Sequence, residues 1–148
     1  ETINTPSMLC VEDYLDALLW AKSVGGLPAT VARSDANAKS LSDWVAVTAW
    51  VDHLAKNAGE RSNTSVCLKV VDPAVTRLAG DDQAAFAKTL AGLLEKEGVA
   101  YDIAFYRDAP PGLRIWCGAT VERRDIEALL PWLDWAFAEA KATLSKAA

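Results

Sequence analysis

The sequence predicts an α/β domain of the α+β kind, in which helices cover one face of a mainly antiparallel sheet. Three observations carry this. Apolar residues recur at three- and four-residue spacing in four separate stretches, which marks amphipathic helices. Between them lie short runs of apolar and β-branched residues of strand length. Glycine, proline and aspartate punctuate the joints, giving the order helix, helix, strand, strand, helix, strand, strand, helix.

The first helix is expected from Ser7 to Gly26, where Met8, Val11, Tyr14, Leu15, Leu18 and Leu19 fall on one face. Ser7 is suited to cap its start, and Gly25 and Gly26 to supply the left-handed residue that closes it, so this pair marks the hinge. A second helix carries Leu27, Val31, Ala38, Leu41 and Val45, with Pro28 in a first turn that needs no N–H. Whether it continues to Ala46 or beyond stays open; Trp50 to Leu54 then reads as a short strand. Lys56 to Ser62 is a polar loop, and Thr64 to Val71 a strand broken by Asp72 and Pro73. A helix from Asp81 to Glu97 begins at Asp81 or Asp82, buries Phe86, Leu90, Leu93 and Leu94, and ends at Gly98. Val99 to Tyr106 reads as a strand, Asp108 to Gly112 must turn, and Leu113 to Gly118 pairs back on it. The last helix, Glu122 to Leu144, directs Ile126, Leu129, Leu130, Leu133, Phe137 and Ala140 inward. Pro131 should kink it or leave one carbonyl to water.

At 148 residues the chain is long enough for one sizeable core, and half its residues are apolar. A formal charge of −5, from 20 acids and 15 bases mixed along the chain, provides no basic stripe to track a phosphate backbone, so nucleic acid is not an expected partner. No apolar stretch reaches the roughly 20 residues of a membrane span. Cys10, Cys67 and Cys117 are far apart and read as buried thiols of a reducing, cytoplasmic compartment. Zinc is disfavoured, because His53 is the only histidine. Six tryptophans are many for this length and point to core or interface positions. The chain opens on Glu1 rather than Met, which suggests a piece of something larger.

Arg114, between Leu113 and Ile115, should point to the sheet face opposite them. A guanidinium held on a rigid strand beside a cleft suits a carboxylate, gripped by two parallel hydrogen bonds. From spacing alone, an arginine on the solvent side of a half-covered sheet is the commoner situation. Arg107 lies at the other end of the Pro110, Pro111 turn, where the two arginines together would suit a dianion; arginines flanking an exposed turn are again commoner. Asn4 and Thr5 precede the first helix, where free N–H groups attract phosphate, although capping alone explains such residues at most helix starts.

Asn4-Thr5-Pro6-Ser7, Gly25-Gly26-Leu27, Arg61-Ser62-Asn63-Thr64-Ser65-Val66 and Gly112-Leu113-Arg114-Ile115, in this order and spacing, resemble the C-terminal part of the phosphoserine aminotransferases. The resemblance covers essentially the whole chain. It is closest to a bacterial branch whose substrate hairpin reads Tyr106-Arg107-Asp108-Ala109-Pro110-Pro111-Gly112-Leu113-Arg114. It implies the type I pyridoxal-phosphate fold, with residues 1–26 a remnant of the large cofactor domain and its interface helix, and residues 27–148 the small domain that closes over substrate. By the same resemblance Arg114 binds the substrate α-carboxylate and Arg107 helps hold its distal phosphate or carboxylate. Asn4 and Thr5 reach across a homodimer to the phosphate of the pyridoxal 5'-phosphate cofactor. The chain departs from another branch in carrying Tyr106 where that branch has a histidine, and in the length of the turn between the arginines.

The reaction implied moves the amino group of glutamate to 3-phosphohydroxypyruvate, giving phosphoserine for serine biosynthesis. It needs a lysine that binds the cofactor covalently and an acid beside the pyridine nitrogen. None of Lys22, Lys39, Lys56, Lys69, Lys88, Lys96, Lys141 or Lys146 is recognisable in that role, so the chain alone is expected to be inactive and to hold no catalytic residue. Two other classes fit the element order: a stand-alone regulatory domain that binds a small molecule, and an interaction domain docking through its tryptophan-rich helices.

Overall fold

The computed structural model describes residues 3–147; Glu1, on which the reading of a piece cut from a longer protein began, lies outside them. The first helix, α1 (Met8–Ser23), is capped by Ser7 as expected, its Oγ accepting from the Cys10 N–H. Val24 closes it, and Gly25 and Gly26, at φ 110° and 70°, pass the chain to α2 (Gly26–Val47). Positive φ at two successive positions is conformational space that only glycine enters without strain. α2 takes Pro28 in its first turn and runs past Ala46 before β1 (Val51–His53).

The expected loop after β1 contains one turn of 3-10 helix (Ala58–Glu60). It leads into β2 (Ser65–Val70), which lies inside the expected strand. A four-residue helix, α3 (Pro73–Thr76), follows. Asp72 caps it by accepting from the Ala74 N–H, a turn too short for periodicity to reveal. Helix α4 (Gly80–Lys96) starts one residue before Asp81 and takes its N-cap position at Ala79, without a side-chain bond. Asp81 and Asp82 sit instead in the first turn, where their charge favours the helix dipole. The left-handed Gly98 ends it as predicted.

The second hairpin differs from expectation. Residues 99–106 are not a strand; only Ala104 bridges to Leu113, and Ile103 accepts from the Arg114 N–H. The reason is Asp102, which adopts φ 53° and breaks the extended run. Strand β3 (Leu113–Trp116) therefore pairs with β2, completing an antiparallel sheet of order β1-β2-β3. The final helix, α5 (Arg123–Ala147), runs on through Pro131. Proline lacks the N–H that would bond the Glu127 carbonyl, and Glu127 and Pro131 are both exposed, where water can supply a donor.

The sheet's two faces are unlike. Val51, Val66, Leu68, Leu113 and Ile115 are buried against Leu41 and Val45 of α2, Phe86, Leu90 and Leu94 of α4, and Ile126, Leu133 and Phe137 of α5. Each large side chain so enclosed contributes about 1.5–3 kcal/mol. Asn37, almost fully buried on α2, donates from Nδ2 to the carbonyls of Cys117, Gly118 and Val121, so α2 holds the segment that follows β3. The opposite face carries Asp52, Ser65, Cys67, Lys69, Arg114 and Trp116, by the alternation of the strands, and among the described residues no helix covers it.

The expectation of three buried thiols needs correction. Only Cys117 of the three thiols is buried, which pushes its pKa up to about 11; Cys10 and Cys67 are exposed. Cys67 alternates onto the open sheet face, and α1 buries no residue. Of the tryptophans, Trp50 is in the core, while Trp20, Trp116 and Trp132 are exposed. Among the described residues, no helix is long and apolar enough to cross a membrane.

Candidate functional site

β3 positions Arg114. Its neighbours Leu113 and Ile115 are in the core, so the intervening guanidinium projects onto the open face, opposite Cys67 of β2. Gly112 allows the chain to enter the strand there: a Cβ at this position would run into the Leu68 carbonyl oxygen. The Arg114 side chain retains only 16% of its exposure, and the cover comes from the irregular segment before the turn. The Tyr106 ring lies against the guanidinium, 4.3 Å from its central carbon to the ring centroid, a cation–π stack. Nη2 donates to Oδ2 of Asp102 at 3.0 Å and to the Asp102 carbonyl at 3.4 Å. Nε is sealed from solvent with no acceptor. A cavity of about 30 Å³, room for one small group, lies beside it, walled by Leu54, Cys67, Phe105, Tyr106 and Pro110.

The surroundings favour recognition of an anion. Arg114 is fixed by a strand, an aromatic platform and a carbonyl, so little side-chain freedom is lost when it binds. Its nearest counter-charge, Asp102, is 90% exposed and weakly held. Arg107 is exposed and makes no hydrogen bond or ion pair among the described residues; it follows the ring that covers Arg114. Asn4 and Thr5 are exposed ahead of α1 and make no side-chain hydrogen bond among the described residues, nor any contact with Arg114. Within α1 the N–H groups of Cys10 and Val11 are already bound by Ser7, so the donors left for an acceptor are those of Asn4 and Thr5 and of the first two residues of the helix. The lysines that the described side chains place in ion pairs, Lys39, Lys69 and Lys141, serve Asp43, Asp52 and Asp72.

Alternation along β3 foretold where Arg114 points, but Tyr106 and Asp102 were not legible as its neighbours. They reach it through a segment without regular period, and the left-handed aspartate that bends this segment has no sequence signature. His53, disfavoured as a metal ligand, is buried in β1 with Nε2 unpartnered. Burial first, then the nearby Arg61 charge, holds its pKa below the ordinary histidine value, against the opposing pull of Asp52.

No family profile matches the chain. The phosphoserine aminotransferase of Methanosarcina mazei is 49% identical to it over 136 residues, which are 92% of this chain and 34% of that protein. That of Methanosarcina barkeri is 50% identical over 136 residues, with the same shares. Among solved structures, the phosphoserine aminotransferase of Bacillus circulans subsp. alkalophilus superposes on 92% of this chain and 34% of its own, with a TM-score of 0.75 at 18% identity. A phosphoserine aminotransferase studied for radiation damage of its Schiff base gives 0.74, at 18% identity, over 92% of this chain and 35% of its own. The expected fold, a small mixed domain with helices on an antiparallel sheet, is thereby matched. The chain spans about a third of the length of the curated relatives it matches.

Proposed function

We propose that this chain, homologous to phosphoserine aminotransferases along nearly all of its length, is the C-terminal, substrate-clamping part of such an enzyme. In this reading residues 27–148 form the clamp and residues 1–26 the edge of the cofactor-bearing domain. The whole enzyme is a cytoplasmic homodimer that transfers the amino group of L-glutamate to 3-phosphohydroxypyruvate. The stand-alone sensor is not favoured, because the relatives named above are aminotransferases.

The observation that carries the proposal is the setting of Arg114, a cation fixed on the open face of the sheet with one guanidinium nitrogen, Nη1, unbonded among the described residues. Arg114 binds the α-carboxylate common to glutamate and the oxo acid, and so orients the substrate. Arg107, exposed on the adjoining turn, attracts the distal phosphate or carboxylate, which differs between the two substrates. The pyridoxal 5'-phosphate cofactor, when bound, supplies the electron sink that transamination requires. Exposed amide and hydroxyl donors ahead of a helix suit a phosphate, so Asn4 and Thr5 fit the role of holding that group across the dimer.

The test is a coupled assay of phosphoserine formation with the complete enzyme of which this segment is part. Arg114→Gln is expected to lower kcat/KM for glutamate about 100-fold, by loss of two charge-assisted hydrogen bonds, with the thermal midpoint nearly unchanged. Retention of full activity would remove Arg114 from the site.

A further inference from the structure

Asp102 occupies the group that the proposed ligand needs. Its carboxylate, at 3.0 Å, and its carbonyl oxygen, at 3.4 Å, both accept from Nη2 of Arg114. Nε is sealed. A carboxylate gripped by two parallel bonds must use two neighbouring nitrogens of the fork. With Nε closed off, the available edge is Nη1 and Nη2, and Nη2 is already engaged by Asp102. Asp102 reaches this position through its left-handed backbone, a conformation that aspartate and asparagine tolerate better than most residues. The exposure of its side chain means that little besides Arg114 holds it.

The geometry points to Asp102 as an internal competitor, a specificity-determining carboxylate of this chain that occupies Arg114 until a ligand carboxylate displaces it. This inference rests on the proposed role of Arg114. Displacement leaves the stack on Tyr106 and the strand in place, so the guanidinium stays oriented while its partner changes. A ligand with one weakly basic oxygen cannot replace the pair of acceptors that Asp102 presents, whereas a carboxylate can. The resident acid therefore raises the threshold for neutral and singly accepting ligands more than for carboxylates. Because an exposed pair contributes little, the competition costs a carboxylate a small factor in affinity.

Acetate, the minimal carboxylate, is the probe, titrated into the 148-residue chain while the Arg114 Nε–H resonance is followed by NMR. Arg114→Gln assigns that resonance by deleting it, and shifts of neighbouring backbone amides report binding in that variant. Asp102→Asn and Asp102→Gly keep a residue that accepts the left-handed backbone and remove the charge. Acetate is expected to bind both variants about two- to fivefold more tightly than the parent chain, and Arg114→Gln not at all. If the Asp102 variants bind acetate as the parent does while Arg114→Gln does not, the competitor role is wrong and the carboxylate reading of Arg114 stands. If Arg114→Gln binds like the parent, or acetate shifts nothing in the parent and in both Asp102 variants, then Arg114 is not a carboxylate site and both readings fall.

Discussion

Helices α1 and α5 look alike as sequences, each a long run with apolar residues every three or four positions, yet they do opposite things in the fold. α5 places Ile126, Leu133, Ala136, Phe137 and Ala140 in the core. α1 buries nothing: Met8, Leu9, Tyr14, Leu15, Leu18 and Leu19 are all exposed. The difference lies in the partners. α5 meets both α2 and α4 across the covered face of the sheet, whereas the main neighbour of α1 is α2 alone, reached through the two glycines. Periodicity reports that a helix has an apolar side, and only tertiary structure says what that side rests on.

The sharpest way to break this contrast is to cut equal side chains from the two helices. Leu133→Ala, at a fully enclosed position, is expected to cost about 2–5 kcal/mol, measured by urea denaturation. Leu15→Ala on α1 should change stability by less than about 0.5 kcal/mol. Equal losses would mean that α1 is covered in solution. A smaller effect is expected at Asp134 on the outer side of α5, whose two carboxylate oxygens accept from the indole N–H groups of Trp44 and Trp50. Asp134→Ala strands the partly buried Trp50 donor and should cost about 1–3 kcal/mol, with a change in tryptophan emission.

The smallest effect is a pH dependence. The folded pKa of His53 lies below its ordinary value of 6.5, so the unfolded chain binds this proton more readily. The contribution is fully present above about pH 6.5 and is lost as pH falls from there through the lower folded value. Replacing His53 with Gln should flatten that part of the stability profile. An unchanged slope would assign it to the carboxylates instead.

The same contrast explains how much was legible in advance. Strand β2, helix α4 and helix α5 were read correctly because each obeys one period along its length, and β2 and α4 also end at a proline and a glycine. The fold class followed from their order. The segment after Gly98 was misread because Val99, Ile103 and Phe105 suggest a strand, while a single left-handed residue, Asp102, undoes it. Of the candidate site, the direction of Arg114 was legible, since alternation is a local property. Its stack on Tyr106 and its pairing with Asp102 were not, because both depend on a path through space that no period encodes. The exposed cysteines and tryptophans teach a similar point: their chemical types favour burial on average, and the uncovered sheet face and the bare first helix override that average.

The misread segment also protects the sheet. β3 is an outermost strand with a row of backbone donors and acceptors on its free side, the kind of rim along which separate molecules zip together into aggregates. Ile103 and Ala104 satisfy part of that rim, and the kink at Asp102 stops the pairing before it becomes regular. At the opposite rim β1 is only three residues long and turns Asp52 outward. Both borders are thus poor templates, which keeps a three-stranded sheet from growing into a fourth strand borrowed from another molecule.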